Sequence, residues 1–447
     1  MKRLARNLFV FGTIASLTVI VLIISGSLNT LSNDGVINPS IATVSIILYW
    51  ALGSICCWCL SQFKNRWRQI LLALSTFIIC IAIIEIALRI TWPNLALREF
   101  EFLRSQSQHH VLMPNTSYHL GILEGRDVIV TTNADGLRSS YSQQQYKNGK
   151  QRIVCLGDSF TFGAWVDARD SYPEQLERIL NSTKRQECRV LNAGMLSYSP
   201  LLHEQLLKRS LMKYRPTVVT LMLDCTDIGD DYHYSQDFDS SRQGGIFVGT
   251  TVTKSTPHFG ALWRLIKPLQ PAILSPLKLV RRLGVDFRAH DPLDYYHFRI
   301  PVGDHVESDR FFIYRYPLVK TRRYFDFTYS RITSIARFCK KRDIKFILFV
   351  APRYHHWSTT ESPRNWEFGV YGNYKQYQYE WFNYFNEKKM TAEFPIVSLL
   401  TEFQETSRYP LVFDSDPHWN EAGNRFVAEA VARALEDRKL IDPTNHK

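Results

Sequence analysis

The sequence predicts an α/β domain: a three-layer sandwich around a central parallel sheet of about five strands, preceded by three transmembrane helices. Three observations lead there. Three strongly apolar stretches fill most of residues 1–90. Beyond residue 150, short apolar runs alternate with helix-like stretches. Those runs end in glycine, serine, carboxylates and histidine, the residue types that carry chemistry.

The apolar stretches span about 8–25, 41–60 and 69–88. Each is close to the ~20 residues a helix needs to cross a bilayer. A signal peptide would account for the first alone, not for the two that follow. Glu85 in the third stretch is open to an intramembrane functional site and, more readily, to an ion pair near the interface with Arg89 four residues on. Lys2, Arg3 and Arg6 precede the first stretch, residues 25–40 hold no Lys or Arg, and Lys64, Arg66 and Arg68 lie between the second and third. Basic flanks stay in the cytoplasm. The N-terminus is therefore expected in the cytoplasm and everything after residue 90 outside it.

The net charge of +12 does not point to nucleic acid. Several of the positive charges are the topogenic ones, and an external domain seldom meets nucleic acid. Anionic lipid or an anionic glycan is the expected counterpart. Of eight cysteines, Cys56, Cys57, Cys59 and Cys80 fall in the apolar stretches. Cys155, Cys188, Cys225 and Cys339 are scattered without metal-ligand spacing. Cys155 and Cys225 each sit near a strand end, where a disulfide and two buried thiols are both open.

Residues 91–150 form a β-rich lead-in, in which "RDVIVTTNADGLR" (126–138) reads as a strand and then a turn at Asn133 to Gly136. From 151 to 440 runs the sheet domain, with an insertion at about 232–320. Its strands are expected at 153–156, 189–192, 217–223, 345–351 and 395–400. Helix-like stretches fall near 171–181, 200–213, 321–342, 374–390 and 420–438. The runs are rich in Val, Ile and Leu without alternation, which suits strands buried on both faces. Strands alternating with helices imply a parallel sheet.

Parallel sheets bind ligands beyond the carboxyl ends of their strands. After the first run come Gly157, Asp158 and Ser159; after the second, Ala193 and Gly194. Asp224, Cys225, Thr226 and Asp227 follow the third, and Pro352, Arg353, Tyr354, His355 and His356 the fourth. "FDSDPHWNEAG" (413–423) lies between the fifth and the last helix. A serine, carboxylates and a histidine thus converge on one edge, as a nucleophile, an oxyanion hole and a base with its orienting acid would.

Four blocks resemble those of the SGNH, or GDSL-type, hydrolases: "GDSFTFG" (157–163), "NAGMLSYSP" (192–200), "DCTDIGDD" (224–231) and "DPHWNEAG" (416–423). "LRITWPN" (88–94) and "TTNADGLR" (131–138) are similar to segments of membrane-anchored bacterial members. The resemblance implies a flavodoxin-like fold and an ester-cleaving enzyme without cofactor. It implies Ser159 as nucleophile, His418 as base and Asp416 as the acid that orients it, with Asp414 as the fallback. It implies an oxyanion hole from the N–H of Ser159, the N–H of Gly194 and the side chain of Thr226. Asp158 and Asp227 have supporting roles. Thr226 departs from the family, which has Asn there; its hydroxyl is a shorter donor.

The resulting expectation is an anchored esterase of a bacterial inner membrane, its catalytic domain periplasmic or extracellular. It would remove or transfer O-acyl groups, such as acetyl, of a surface glycan or lipid. An O-acyltransferase and a non-catalytic glycan-binding or assembly protein are the alternatives. Segment 261–284 is basic and apolar together, open to membrane-surface contact or to packing as an ordinary helix. The aromatics of 353–358 and 373–385 suit sugar rings or a core. His355 and His356 are expected to be loop residues, and no metal is expected.

Overall fold

The computed structural model describes residues 97–183, 187–239, 245–247, 298–358, 360–364, 367 and 376–441, together with Ser75. The three apolar stretches (apart from Ser75) and segment 261–284 lie outside the described residues. Among the described residues no helix is long and apolar enough to cross a membrane.

The chain divides into two units. One takes in 1–99, 118–129 and 256–287; the other takes in 100–117, 130–255 and 288–447. The expected lead-in of 91–150 is therefore shared between them. In the first unit, Arg98 and Glu99 pair in parallel with Tyr118 and His119. The strand Ser117–Leu123 turns back into Arg126–Thr131 through Glu124 (φ 50°) and Gly125 (φ 78°). A two-residue hairpin turn with positive φ at both positions has the twist that neighbouring strands need.

The second unit carries the large sheet. Its strands are β1 (Gln151–Leu156), β2 (Cys188–Asn192), β3 (Val218–Leu223), β4 (Lys345–Val350) and β5 (Ile396–Ser398). They stand in the order β5-β4-β3-β1-β2, and each neighbouring pair is parallel. All of β3 is buried, as a strand covered on both faces requires. The fifth strand stops at Ser398, short of the expected 400, because Leu400 already starts a helix.

Besides the short helix Gln143–Lys147 ahead of the sheet, the α-helices among the described residues are α1 (Ser159–Phe162), α2 (Tyr172–Thr183), α3 (Pro200–Leu206), α4 (Asp227–Gln236), α5 (Leu318–Lys340), α6 (Glu380–Lys389), α7 (Leu400–Glu405) and α8 (Glu421–Asp437). The stretch at 200–213 is α-helical only to Leu206, then widens into a π turn to Leu211. Helices α4 and α7 carry no clear apolar period and were not expected. The chain steps from β1 to β2 in one direction and from β2 to β3 in the other. Right-handed crossovers then put α2 and α3 on opposite faces. Helix α2 packs with α8, and α5 packs with α3 and α4. Trp381, Phe382, Tyr384 and Phe385 of α6 are buried, so these aromatics serve the core. The strand order reverses between β1 and β3, the point where open α/β sheets hold ligands.

Candidate active site

The turn after β1 is built by close approach. Gly157 has φ 153°, and a Cβ there would lie 2.0 Å from Thr161 Oγ1 and 3.0 Å from the Met222 carbonyl. The next residue, Asp158, caps α1: its carboxylate accepts from the Phe160 N–H at 2.9 Å. Burial, and then the charge of Asp224, push the Asp158 carboxyl up to about 6. Ser159 is the first residue of α1. Its N–H is among those that a helix's first turn leaves without an intrahelical acceptor.

The histidine comes from a narrow loop before α8. Val412 bridges Trp419, the Phe413 N–H donates to the His418 carbonyl at 3.2 Å, and the Asn420 N–H donates to the Leu411 carbonyl at 3.0 Å. His418 Nε2 lies 2.7 Å from Ser159 Oγ, and His418 Nδ1 lies 2.5 Å from Asp416 Oδ1. The His418 backbone N–H donates to that same carboxylate oxygen at 3.0 Å. A carboxylate facing Nδ1 places the proton there, which leaves the Nε2 lone pair aimed at the serine hydroxyl. The Phe160 ring packs on the imidazole at 4.8 Å and on Trp419 at 4.7 Å.

Burial alone would lower the His418 pKa, but the charge and hydrogen bond of Asp416 outweigh it and raise the net value. Burial would likewise raise Asp416, and the paired imidazole holds it below the usual carboxylate range. The fallback acid Asp414 pairs with Arg364. Chemically, the three groups form a line able to take a proton from a hydroxyl, hold it as imidazolium and return it.

Two expected oxyanion donors are engaged elsewhere. The Gly194 N–H donates to Asn192 Oδ1 at 3.0 Å. Its glycine is needed for packing: a Cβ would fall 2.3 Å from the Phe162 nitrogen and 2.6 Å from the Thr161 carbonyl carbon. Gly194→Ala is thus expected to push α1 and its serine aside. A displacement near 1 Å costs on the order of 10²-fold in rate, to be read as acylation of Ser159 by p-nitrophenyl acetate.

Thr226 is fully buried, and its Oγ1 donates to Asp224 Oδ2 at 2.5 Å. The Thr226 N–H donates to the same oxygen at 3.2 Å. A hydroxyl held by a carboxylate is spent as a donor, so the expectation for Thr226 is corrected. Thr226→Val should lower stability by about 2 kcal/mol, the scale of a hydrogen bond to a charged group. The acylation rate should change little. Asp227 closes the same turn, its Oδ2 accepting from the Asp224 N–H at 2.9 Å, and burial raises its carboxyl.

The sequence assigns no role to Ser197 or Arg353. Ser197 has left-handed backbone (φ 63°), and its N–H has no acceptor among the described residues. Its hydroxyl meets Tyr234 at 2.7 Å. No glycine marks the position, so nothing in the sequence signals it. Arg353 is 2% exposed and holds Asp224 through Nε at 2.9 Å and Nη2 at 2.7 Å. An arginine three residues beyond an apolar strand is the available signal. His356 Nδ1 accepts from the Arg353 N–H at 3.0 Å and its Nε2 donates to the Gln378 carbonyl at 3.2 Å, a structural role. Among the described residues no group of three or more His, Cys, Asp or Glu is placed to hold a metal ion. Cys155 and Cys225 are separate buried thiols.

No family model matches the chain, and no curated protein matches it. Solved structures do. A catalytic mutant of Axe2, an acetylxylan esterase from Geobacillus stearothermophilus, is 12% identical with a TM-score of 0.34, over 67% of this chain and 98% of that one. A GDSL-like lipase from Bacteroides thetaiotaomicron VPI-5482 is 12% identical with a TM-score of 0.31, over 67% of this chain and 92% of that one. The acetyl xylan esterase AlAXEase is 13% identical with a TM-score of 0.32, over 63% of this chain and 99% of that one. Likeness this distant leaves the chemistry to rest on the residues themselves.

Proposed function

We propose that the chain is a serine esterase of the SGNH type, held at a bacterial membrane, that removes O-acyl groups such as acetyl from a cell-surface glycan or lipid outside the cytoplasm. The observation that carries the ester chemistry is the continuous line Ser159–His418–Asp416, at 2.7 and 2.5 Å, beside the β1/β3 switch point. Ser159 attacks the ester carbonyl while His418 takes its proton; a neutral hydroxyl needs such a base. Asp416 holds the imidazole in the working tautomer and stabilises it once charged. The developing oxyanion takes the N–H of Ser159, which the first turn of α1 leaves without an intrahelical acceptor. The imidazolium protonates the leaving alcohol, and water then repeats the sequence to release the acid. Support for the glycan or lipid substrate is the predicted anchor, which keeps the domain at a cell surface.

The test is labelling of the purified full chain by a fluorophosphonate probe, beside Ser159→Ala. Labelling of the parent alone supports the reading; equal labelling of both sinks it. Topology has its own test, motivated by the asymmetry of basic residues around the apolar stretches. A periplasm-active reporter fused after residue 100 should be active and one fused at Lys64 silent. The reverse pattern removes the external substrate.

A further inference from the structure

With Ser159 as nucleophile and His418 as its base, the reading on which this rests, we propose that Arg353 is a positioning residue: one buried guanidinium that clamps the turn after β3 and the connection after β4 against the nucleophile turn. The side chain is 1% exposed and uses both of its edges. On one edge, Nε and Nη2 take the two oxygens of Asp224 at 2.9 and 2.7 Å. On the other, Nη1 meets both oxygens of Glu367 at 2.7 and 2.6 Å. The guanidinium carbon lies 5.1 Å over the Phe160 ring and 5.2 Å over the Phe311 ring. Phe160 directly follows the nucleophile and packs on His418. One cation thus meets four segments of the chain, those of Phe160, Asp224, Phe311 and Glu367.

A planar fork is what this place requires. Arg presents its donors in fixed directions that match two carboxylates at once, whereas Lys offers a point charge that can serve only one well. The same connection also holds the histidine loop, since Glu361 accepts from the Leu411 N–H at 2.6 Å. Arg353 therefore ties the support of the base to the support of the nucleophile.

Its charge is also felt at His418. The charged groups acting on the imidazole are Asp416 and Asp158, which favour its protonation, and Arg353, which opposes it. Asp224 and Glu367 partly neutralise Arg353, and Arg310 lies near Asp224 as a further cation. Removing one of the neutralising carboxylates leaves more of the Arg353 charge facing His418.

The experiment measures the rate of fluorophosphonate labelling of the full chain against pH, for the parent, Arg353→Lys and Glu367→Gln, with folding checked by thermal melting. In Arg353→Lys the charge remains and the fork is lost: labelling should fall by roughly tenfold or more at every pH, with the acid limb in place. In Glu367→Gln the acid limb should move to lower pH, a shift that a merely structural role would not produce. If Arg353→Lys does not fold, the Glu367→Gln limb decides alone. A folded Arg353→Lys labelled at the parent rate, or an unmoved limb in Glu367→Gln, overturns the role of Arg353 and leaves the esterase reading intact. A parent that is not labelled at all overturns both.

Discussion

Ser159→Ala should abolish ester turnover while the fold persists. The side chain is small and sits at the start of a four-residue helix whose cap is Asp158, so little packing is lost. What disappears is the bond-forming oxygen. Loss of a triad nucleophile or base lowers rates by ~10⁴–10⁶-fold. His418→Ala should cost about as much, because without the Nε2 acceptor at 2.7 Å the hydroxyl has no base. The double variant should be no worse than either single one, since the groups act as a unit. The measurement is kcat/KM for p-nitrophenyl acetate with circular dichroism as the control. Additive losses would show that the two residues do not share one step.

The second large effect is Asp416→Asn. The amide preserves shape and loses the charge that fixes the Nδ1 proton, and in a comparable triad this change costs ~10⁴-fold. The pH profile should change too. Base catalysis needs neutral imidazole, so activity falls as acid protonates His418. Asp416 raises the imidazole pKa against the effect of burial, so in the parent the fall should begin above the ordinary histidine value of ~6.5. In Asp416→Asn the residual activity should persist to lower pH. Stability follows the opposite sign. A raised His418 contributes stability below ~6.5 that is lost as pH rises through its folded value. A lowered Asp416 contributes above ~3.9 and loses it as pH falls through its folded value. The pair is most stabilising when both are charged, on the acid side of the range where the enzyme works. A melting curve whose contribution from Asp416 grew from pH 7 to 9 would contradict this.

The parts legible in the sequence were those set by local pattern. Non-alternating runs such as Val218–Leu223 marked buried strands, and the residues after them gave the serine, the histidine and its acid. Strand order was not written in any run, because it depends on which crossover each connection makes. The partners of the expected donors are hidden for a related reason. Gly194 and Thr226 stand at suitable chain positions, yet their partners Asn192 and Asp224 are two residues away and reached only through the turn geometry. Arg353 was hidden because its meaning lies in Asp224, 129 residues earlier.

The serine and the histidine are 259 residues apart in the chain, and their hydrogen bond closes only when the loop before α8 reaches β1. That loop is carried by α8, whose Asn424 accepts from the Tyr172 N–H of α2 at 3.0 Å and donates to the Trp419 carbonyl at 2.8 Å. The base is therefore delivered by a helix synthesised well after the one it docks on, their contact spanning 252 residues of chain. Until that docking occurs, Ser159 is an ordinary alcohol. A chain still emerging from the ribosome carries its nucleophile without the means to activate it, and a working triad becomes a signal that assembly of the domain is complete.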